Sequence, residues 1–248
     1  MEHKEFSHIV PGSRKAILMI HGIAGTPAHF RHLIPVIPED WSVYNILLDG
    51  HGKTVRDFGN TSMKKWKSQV ALRLDELFAK YDHIVLVGHS MGTLFSIQAA
   101  IDHPEKIDAL FLLAVPTRPW VRMSTVFTSL RISRGKVRPD DTAALAMMGA
   151  TSIHLEKNIF KYISWIPRLL ELLAECSRTR RLIPQLTVPC QSFQSHIDEL
   201  VSFRSCKDLE NHPCIQNTVL YGSGHFAYSE EDAALLRECF RKVLEKIA

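Results

Sequence analysis

The sequence predicts an α/β fold with a mostly parallel, doubly wound sheet and helices on both of its faces. Short runs that are apolar throughout recur along the chain, for example AILMI at 16–20 and IVLVG at 84–88. Such runs suit parallel strands whose two faces are both covered. Longer segments with helical periodicity separate them, and this alternation of strand and helix is typical of a doubly wound sheet.

Six strands and two well-marked helices make up the predicted sheet and its cover. The strands are AILMI (16–20), SVYNILL (42–48), IVLVG (84–88), ALFLLAV (109–115), VPCQSF (188–193) and NTVLYG (217–222). Apolar residues three or four apart predict an amphipathic helix over 62–80. Ser229 and Asp232 resemble a capping box and predict a last helix that ends near Lys246.

One long segment, from Thr117 to Leu186, interrupts the alternation. It contains no convincing strand, and glycines and prolines divide it into several short helices. We therefore predict a core domain formed by residues 1–116 and 187–248, with residues 117–186 inserted into it as a helical cap.

Composition narrows the class of protein. Apolar residues make up 46% of the chain and charged residues 23%, which is ordinary for a globular protein. The net charge of +4 comes without a recognisable nucleic-acid-binding module, so we expect no nucleic-acid partner. No apolar stretch approaches the length of a membrane span. The five cysteines include no CxxC pair, and the polar N-terminus resembles no signal peptide, so a cytoplasmic protein is expected. A monomer and a homodimer both remain open.

The sharpest local signal is the pentapeptide Gly88-His89-Ser90-Met91-Gly92. It follows the strand IVLV directly and precedes a helical stretch, which is the setting of a nucleophile elbow. The turn would lift the Ser90 hydroxyl above the edge of the sheet. The alternative is a simple strand-to-helix turn whose serine caps the helix.

A serine hydroxyl needs a base and an orienting acid to become a nucleophile. His225, on the loop GSGHF after the last predicted strand, is the candidate base, and Asp198, after VPCQSF, is the candidate acid. Both follow the carboxyl ends of strands, where open parallel sheets bind ligands. Glu199 and, more distantly, Asp49 remain alternatives to Asp198. The chain order Ser, Asp, His agrees with an α/β-hydrolase triad.

An oxyanion hole requires two backbone N–H donors near the nucleophile. Met91, the residue after the serine, is one candidate. The other is Ile23, in the loop His21-Gly22-Ile23-Ala24-Gly25 that follows the first predicted strand. A glycine-rich turn without catalytic role is the alternative for this loop.

Taken together, these motifs resemble the α/β-hydrolase superfamily, and most of all its small bacterial carboxylesterases and monoacylglycerol-lipase-like serine hydrolases. The resemblance is carried by HGIAGTP, LDGHGKT, GHSMG and the pair IDELV and GSGHF, and leaves the insertion unmatched. It implies that Ser90, Asp198 and His225 form a triad, that Ile23 and Met91 donate to the oxyanion, and that the insertion covers the site. The histidines show no metal-ligand spacing, the glycine-rich loops have no nucleotide-binding pattern and the mechanism requires no cofactor, so we expect neither a metal nor a cofactor.

The expected activity is hydrolysis of a small acyl ester through an acyl-enzyme, with short to medium acyl chains or monoacylglycerol-like substrates. Apolar residues of the insertion either line an acyl pocket or pack the cap helices; they are Trp120, Met123, Phe127, Met147, Met148, Phe160 and Trp165. An acyltransferase or thioesterase with the same triad, and a ligand-binding or sensor protein of low turnover, remain as alternatives.

Overall fold

A central sheet of seven strands organises the part of the chain that the computed structural model describes, residues 3–247. The strands are β1 (Phe6–His8), β2 (Lys15–Ile20), β3 (Ser42–Ile46), β4 (His83–His89), β5 (Ala109–Leu113), β6 (Cys190–Ser195) and β7 (Ile215–Leu220). Their order across the sheet is β1-β3-β2-β4-β5-β6-β7. β1 pairs antiparallel with β3, and every other neighbouring pair is parallel.

This arrangement confirms the predicted mostly parallel, doubly wound sheet. The six predicted strands correspond to β2 through β7, with ends that differ by a few residues. The prediction missed β1, because all three of its residues are exposed and it contains no apolar run. It is the edge strand of the sheet and pairs with β3 alone, and its side chains are exposed to solvent.

Helices pack on both faces of the sheet and fill the segment between β5 and β6. They are α1 (Val55–Gly59), α2 (Met63–Phe78), α3 (Met91–Asp102), α4 (Met123–Ser133), α5 (Thr142–Ala150), α6 (Ile166–Leu182) and α7 (Glu230–Glu245). Short 3-10 helices lie at Pro27–Phe30, Ile34–Val36, Ile159–Trp165, Ile183–Gln185 and Phe203–Asp208. No helix within residues 3–247 is long and apolar enough to cross a membrane.

The hydrophobic core has two layers, one on each face of the sheet. In β2, Leu18 and Ile20 belong to the layer that packs on α2 and α3, whereas Ile17 and Met19 belong to the layer on the α7 face. Side chains of a strand alternate between faces, so a strand covered on both sides must be apolar at every position. This is why the sequence of β2 shows no polar alternation.

The segment between β5 and β6 contains α4, α5 and α6, and backbone hydrogen bonds attach it to loops at the carboxyl edge of the sheet. The Ser152 amide donates to Ala24 at 2.9 Å, and the His154 amide donates to Lys53 at 2.9 Å. The segment therefore lies over the edge of the sheet where the candidate catalytic residues are found.

Candidate active site

Ser90 lies in a tight turn between β4 and α3. Its backbone angles are φ 51° and ψ −119°, in a region that residues with a β-carbon rarely adopt. The turn is held by hydrogen bonds from the Ser90 amide to Leu113 at 2.9 Å and from the Thr93 hydroxyl to the Ser90 carbonyl at 2.6 Å. A strain of about 1–3 kcal/mol at one residue persists only where its surroundings fix it in this way.

The glycines of the pentapeptide let α3 approach the sheet. A β-carbon on Gly92 would lie 1.9 Å from the Ile20 carbonyl oxygen, and one on Gly88 would lie 2.8 Å from the Thr93 Cα. Neither position has room for a side chain, since both contacts involve backbone. The two glycines are therefore needed for the close crossing of β2, β4 and α3 that presents Ser90 at the sheet edge.

Asp198 and His225 form a buried pair at the same edge. The Nδ1 atom of His225 lies 2.9 Å from Oδ2 and 3.1 Å from Oδ1 of Asp198. Oδ1 also accepts hydrogen bonds from the amides of Leu200 and Val201, each at 2.7 Å. Because the carboxylate only accepts, Nδ1 of His225 carries the proton and Nε2 is left free to act as a base.

The pair also shifts the two pKa values in opposite directions. Burial raises the pKa of Asp198, but the charge and hydrogen bond of His225 outweigh it and hold that pKa below its ordinary value. Burial lowers the pKa of His225, but the charge and hydrogen bond of Asp198, with the charge of Glu199, raise it above its ordinary value. The arrangement thus stabilises an imidazolium beside the serine.

The two alternative acids occupy other places. Glu199 accepts a hydrogen bond from the backbone amide of His225 at 2.5 Å, so its carboxylate meets the main chain of the loop. Asp49 pairs with Lys65 of α2 at 2.7 Å. Among the three candidates, Asp198 is the one whose carboxylate contacts the imidazole ring.

The loop that carries His225 is fixed to the start of α7. The Asp232 carboxylate accepts hydrogen bonds from the Gly222 amide at 3.0 Å and from the Ser223 hydroxyl at 2.6 Å. Ser229 caps the helix by accepting from the Asp232 amide at 3.2 Å. The expected capping box is therefore only half formed, because the Asp232 side chain holds the histidine loop instead of the Ser229 amide.

Ser90 follows His89, whose ring centroid lies 4.7 Å from that of His225, but Ser90 and His225 are not hydrogen-bonded to each other. Within residues 3–247, the Ser90 hydroxyl makes no hydrogen bond to the imidazole. Hydrogen bonds between nucleophile and base are often long before substrate binds. Both side chains are nearly buried, with relative exposures of 6% for Ser90 and 5% for His225.

The loop after β2 approaches the serine directly. A β-carbon on Gly22 would lie 2.9 Å from the Ser90 Cβ, so the backbone of this loop passes beside the nucleophile. His21 fixes the loop: its Nδ1 bonds the Gly22 carbonyl at 2.8 Å, and its Nε2 accepts from the Leu48 amide at 3.1 Å. Burial lowers the pKa of His21 to about 4, which keeps it neutral for this role.

The backbone amides of Met91 and Ile23 have no acceptor that would compete for them among the described residues. Met91 is the first residue of α3, where an amide has no acceptor within the helix. The Ile23 amide donates to no protein acceptor among the described residues. The oxyanion-hole role of these two amides remains a prediction.

Two further histidines, which were not predicted as site residues, lie beside His225. The rings of His89 and His225 have centroids 4.7 Å apart, and His29 stacks on His89 at 3.7 Å. Burial, together with neighbouring histidines, keeps the pKa of both well below the ordinary value. Their positions inside HGIAGTPAHF and GHSMG were the available signal.

A cavity of about 440 Å³ opens between this edge of the sheet and the helical segment. Gly22, His89 and His225 line it at the sheet, and Leu130, Met147 and Trp165 are among the residues that line it from the helices. Its walls are mostly apolar, and its size falls within the range of roughly 300–1,000 Å³ that is usual for small-molecule sites.

Of the apolar cap residues named above, only Met147 and Trp165 line this cavity. The other five are exposed. None of these five lines the cavity, and their exposure leaves little of each side chain buried against the helices. Of the basic residues nearby, Arg118 forms a two-bond ion pair with Asp208 at 2.8 and 2.9 Å.

The comparisons with known proteins agree with this fold. Residues 15–131 match a family model described as the α/β hydrolase fold. The pimeloyl-[acyl-carrier protein] methyl ester esterase of Neisseria meningitidis is 26% identical over 190 residues, which cover 70% of this chain and 65% of the esterase. Pyrrolizixenacetamide deacetylase of Xenorhabdus hominickii is 26% identical over 141 residues, covering 56% of this chain and 51% of that protein.

Solved structures of similar fold cover almost the whole chain. A structure described with the metagenome-derived lipolytic enzymes LipS and LipT aligns with a TM-score of 0.74 at 19% identity over 98% of both chains. The monoacylglycerol lipase of Paleococcus ferrophilus aligns with a TM-score of 0.71 at 16% identity over 99% of both chains. The chain has the α/β-hydrolase fold. Within that class it resembles small bacterial esterases.

Proposed function

We propose that the chain is a carboxylic ester hydrolase in which Ser90 is the nucleophile, His225 the general base and acid, and Asp198 the residue that orients the histidine. The observation that supports this most is the meeting of three features at one sheet edge. They are a serine in a strained elbow, a buried His225–Asp198 pair with Nδ1–Oδ2 at 2.9 Å, and an apolar cavity.

In the proposed reaction, Nε2 of His225 takes the hydroxyl proton as Ser90 attacks the ester carbonyl. The Ile23 and Met91 amides donate to the oxygen on which negative charge develops. His225 then gives the proton to the departing alcohol, which leaves an acyl-enzyme. A water molecule, deprotonated by the same Nε2, releases the acid and restores Ser90. The negative charge of Asp198 stabilises the imidazolium at each proton transfer.

We further propose that residues 117–186 act as a cap that shapes the acyl pocket. Leu130 of α4 and Met147 of α5 line the cavity opposite the sheet, and the Ser152 amide ties the segment to Ala24 beside the proposed oxyanion loop. An apolar cavity of about 440 Å³ suits a short or medium acyl chain, or the single chain of a monoacylglycerol-like ester.

Hydrolysis of p-nitrophenyl esters from acetate to palmitate tests this proposal, with Ser90→Ala beside the unmodified protein. Ser96→Ala is the matched control, because Ser96 lies in α3 and its hydroxyl donates only to the Gly92 carbonyl. We expect turnover that Ser90→Ala lowers by at least about a thousandfold and Ser96→Ala leaves in place. Equal activity of the Ser90 variant would refute the assignment of the nucleophile.

A further inference from the structure

Glu199 makes a contact with the histidine loop that the proposed reaction does not use. Its Oε2 atom accepts a hydrogen bond from the His225 backbone amide at 2.5 Å. A β-carbon on Gly224 would lie 2.6 and 2.7 Å from the two Glu199 carboxylate oxygens. The carboxylate is therefore packed against the Gly224 backbone, in space that a side chain at position 224 would share.

Hydrogen bonds hold Glu199 in place through its own backbone. The Glu199 carbonyl accepts from the Arg122 amide at 2.9 Å, and the next carbonyl, that of Leu200, accepts from the Trp120 amide at 2.8 Å. The Ser202 amide donates to Arg118 at 2.9 Å. These bonds join the loop after β6 to the chain that enters α4, so they fix the backbone from which the Glu199 side chain extends.

The charged and titratable groups around His225 make Glu199 distinctive. Asp198 and Glu199 come from the loop after β6, His89 from the end of β4 and His29 from the 3-10 helix after β2. The two histidines are buried and their pKa values are well below the ordinary value, so both are neutral near pH 7. Among residues 3–247, Asp198 and Glu199 are thus the two negative charges that act on the imidazole.

We propose that Glu199 is a positioning residue for His225, whose carboxylate fixes the backbone of the histidine loop and supplies a second negative charge that stabilises the imidazolium. The proposal rests on the proposed function, because an imidazolium matters only if His225 takes the serine proton. The two acids contact different parts of His225. Asp198 orients the ring through Nδ1, and Glu199 binds the backbone amide.

The charge and the hydrogen bond can be separated by substitution. Glu199→Gln keeps an oxygen that can accept from the His225 amide but removes the charge, whereas Glu199→Ala removes both. Glu105→Gln is the matched control, since it removes an exposed carboxylate in the turn after α3, which ends away from the Ser90 end of that helix. Both substitutions remove a negative charge near the ring, which disfavours the imidazolium, so the pKa of His225 should fall in each variant.

Two readouts are measured on each full-length variant. The first is the titration of the His225 ring by NMR, assigned by the signal that His225→Gln removes. The second is the pH profile of kcat/KM for a p-nitrophenyl ester. We expect Glu199→Gln to lower the His225 midpoint by about 0.5–1 pH unit and to move the acidic limb by the same amount. We expect plateau kcat to fall about three- to tenfold, and further in Glu199→Ala.

The outcomes separate this proposal from the function on which it rests. A lowered midpoint in Glu199→Gln, with no change in Glu105→Gln, supports the proposal; an unshifted midpoint overturns it, even if the unmodified protein hydrolyses esters. If the midpoint shifts but the unmodified protein and Ser90→Ala are equally inactive towards esters, the proposed function fails while the effect of Glu199 on His225 stands. A loss of stability without any shift would reduce Glu199 to a structural residue.

Discussion

Asp198→Asn is the substitution whose effect follows most directly from the geometry of the site. Oδ1 of Asp198 accepts from two backbone amides at 2.7 Å, and Oδ2 lies 2.9 Å from Nδ1 of His225. In asparagine, one of these atoms becomes an NH₂ group. Placing that group against two N–H donors costs two hydrogen bonds, so the amide oxygen takes the Oδ1 position and the NH₂ faces Nδ1.

That orientation reverses the tautomer of His225. An NH₂ group donates to Nδ1, so the ring proton moves to Nε2, and Nε2 is then unable to accept the proton of Ser90. The negative charge that stabilises the imidazolium is lost as well. Together these effects predict a fall in kcat of about 10³–10⁴, which corresponds to about 4–5.5 kcal/mol of transition-state stabilisation.

Steady-state hydrolysis of p-nitrophenyl butyrate measures this fall, and urea denaturation provides the control for folding. Asp198→Asn keeps both loop hydrogen bonds, so we expect a small change in the free energy of unfolding. Asp198→Ala removes those bonds, and we expect it to lower the free energy of unfolding by about 2–3 kcal/mol more than Asp198→Asn does. An asparagine variant that retains more than about a tenth of kcat would refute the tautomer argument.

Three predictions concern stability. Gly92→Ala should lower the free energy of unfolding by at least about 2 kcal/mol, because the new β-carbon would lie 1.9 Å from the Ile20 carbonyl oxygen. Gly149 has open space around it, so Gly149→Ala should change the free energy of unfolding by less than about 1 kcal/mol. Thr125→Val should stabilise by about 1 kcal/mol, because the buried Thr125 hydroxyl has no partner among the described residues. Burial lowers the pKa of His32 to about 4, so below pH 6.5 the unfolded chain binds more protons at this residue. Its share of the loss of stability between pH 6.5 and 4 is about 3 kcal/mol, and His32→Leu should remove that share while the other buried histidines keep theirs.

Each of these has a control in the same chain. Urea denaturation measures the free energies at pH 7 for the glycine and threonine variants. Thr128→Val should destabilise, because the Thr128 hydroxyl accepts from Arg131 at 3.2 Å, so a gain for both valines would contradict the argument. For the pH series, His8→Gln alters an exposed histidine, and an acid response of His32→Leu equal to that of His8→Gln would contradict the burial effect.

The sheet was predictable from sequence because burial on both faces leaves a direct trace. Strands such as β4 and β5 are apolar at almost every position, and no polar alternation competes with that signal. β1 left no such trace, since its three residues are exposed and its place is set by pairing with β3. Backbone pairing at a sheet edge constrains side chains little, so sequence alone does not reveal it.

Sequence motifs locate the loops of the candidate site, but they do not decide between adjacent residues that could fill the same role. Asp198 and Glu199 are adjacent acids in one loop, and no pattern in the sequence says which carboxylate meets the ring. The orientation is decided by the amides of Leu200 and Val201, which direct Asp198 inward. The stack of His29 on His89 could not be predicted for a related reason, because it joins a 3-10 helix and the end of a strand that are distant in the chain.

The exposure of apolar side chains in the inserted segment is a tertiary property as well. Phe160 and Trp120 are 73% and 66% exposed although their residue types favour burial. Apolar periodicity marks the face of a helix that avoids water, but α4 and the 3-10 helix at Ile159–Trp165 have apolar residues on more than one face. The sequence therefore indicates apolar helices without indicating which side meets the cavity.

The most direct test of the central claim is covalent labelling by a fluorophosphonate, followed by intact mass measurement and peptide mapping. An activated serine attacks phosphorus, fluoride leaves, and the label stays on the serine oxygen. The account predicts a single adduct on the peptide that contains Ser90, absent from Ser90→Ala and formed much more slowly in Asp198→Asn. A label on another residue, or equal labelling of Ser90→Ala, would contradict the account.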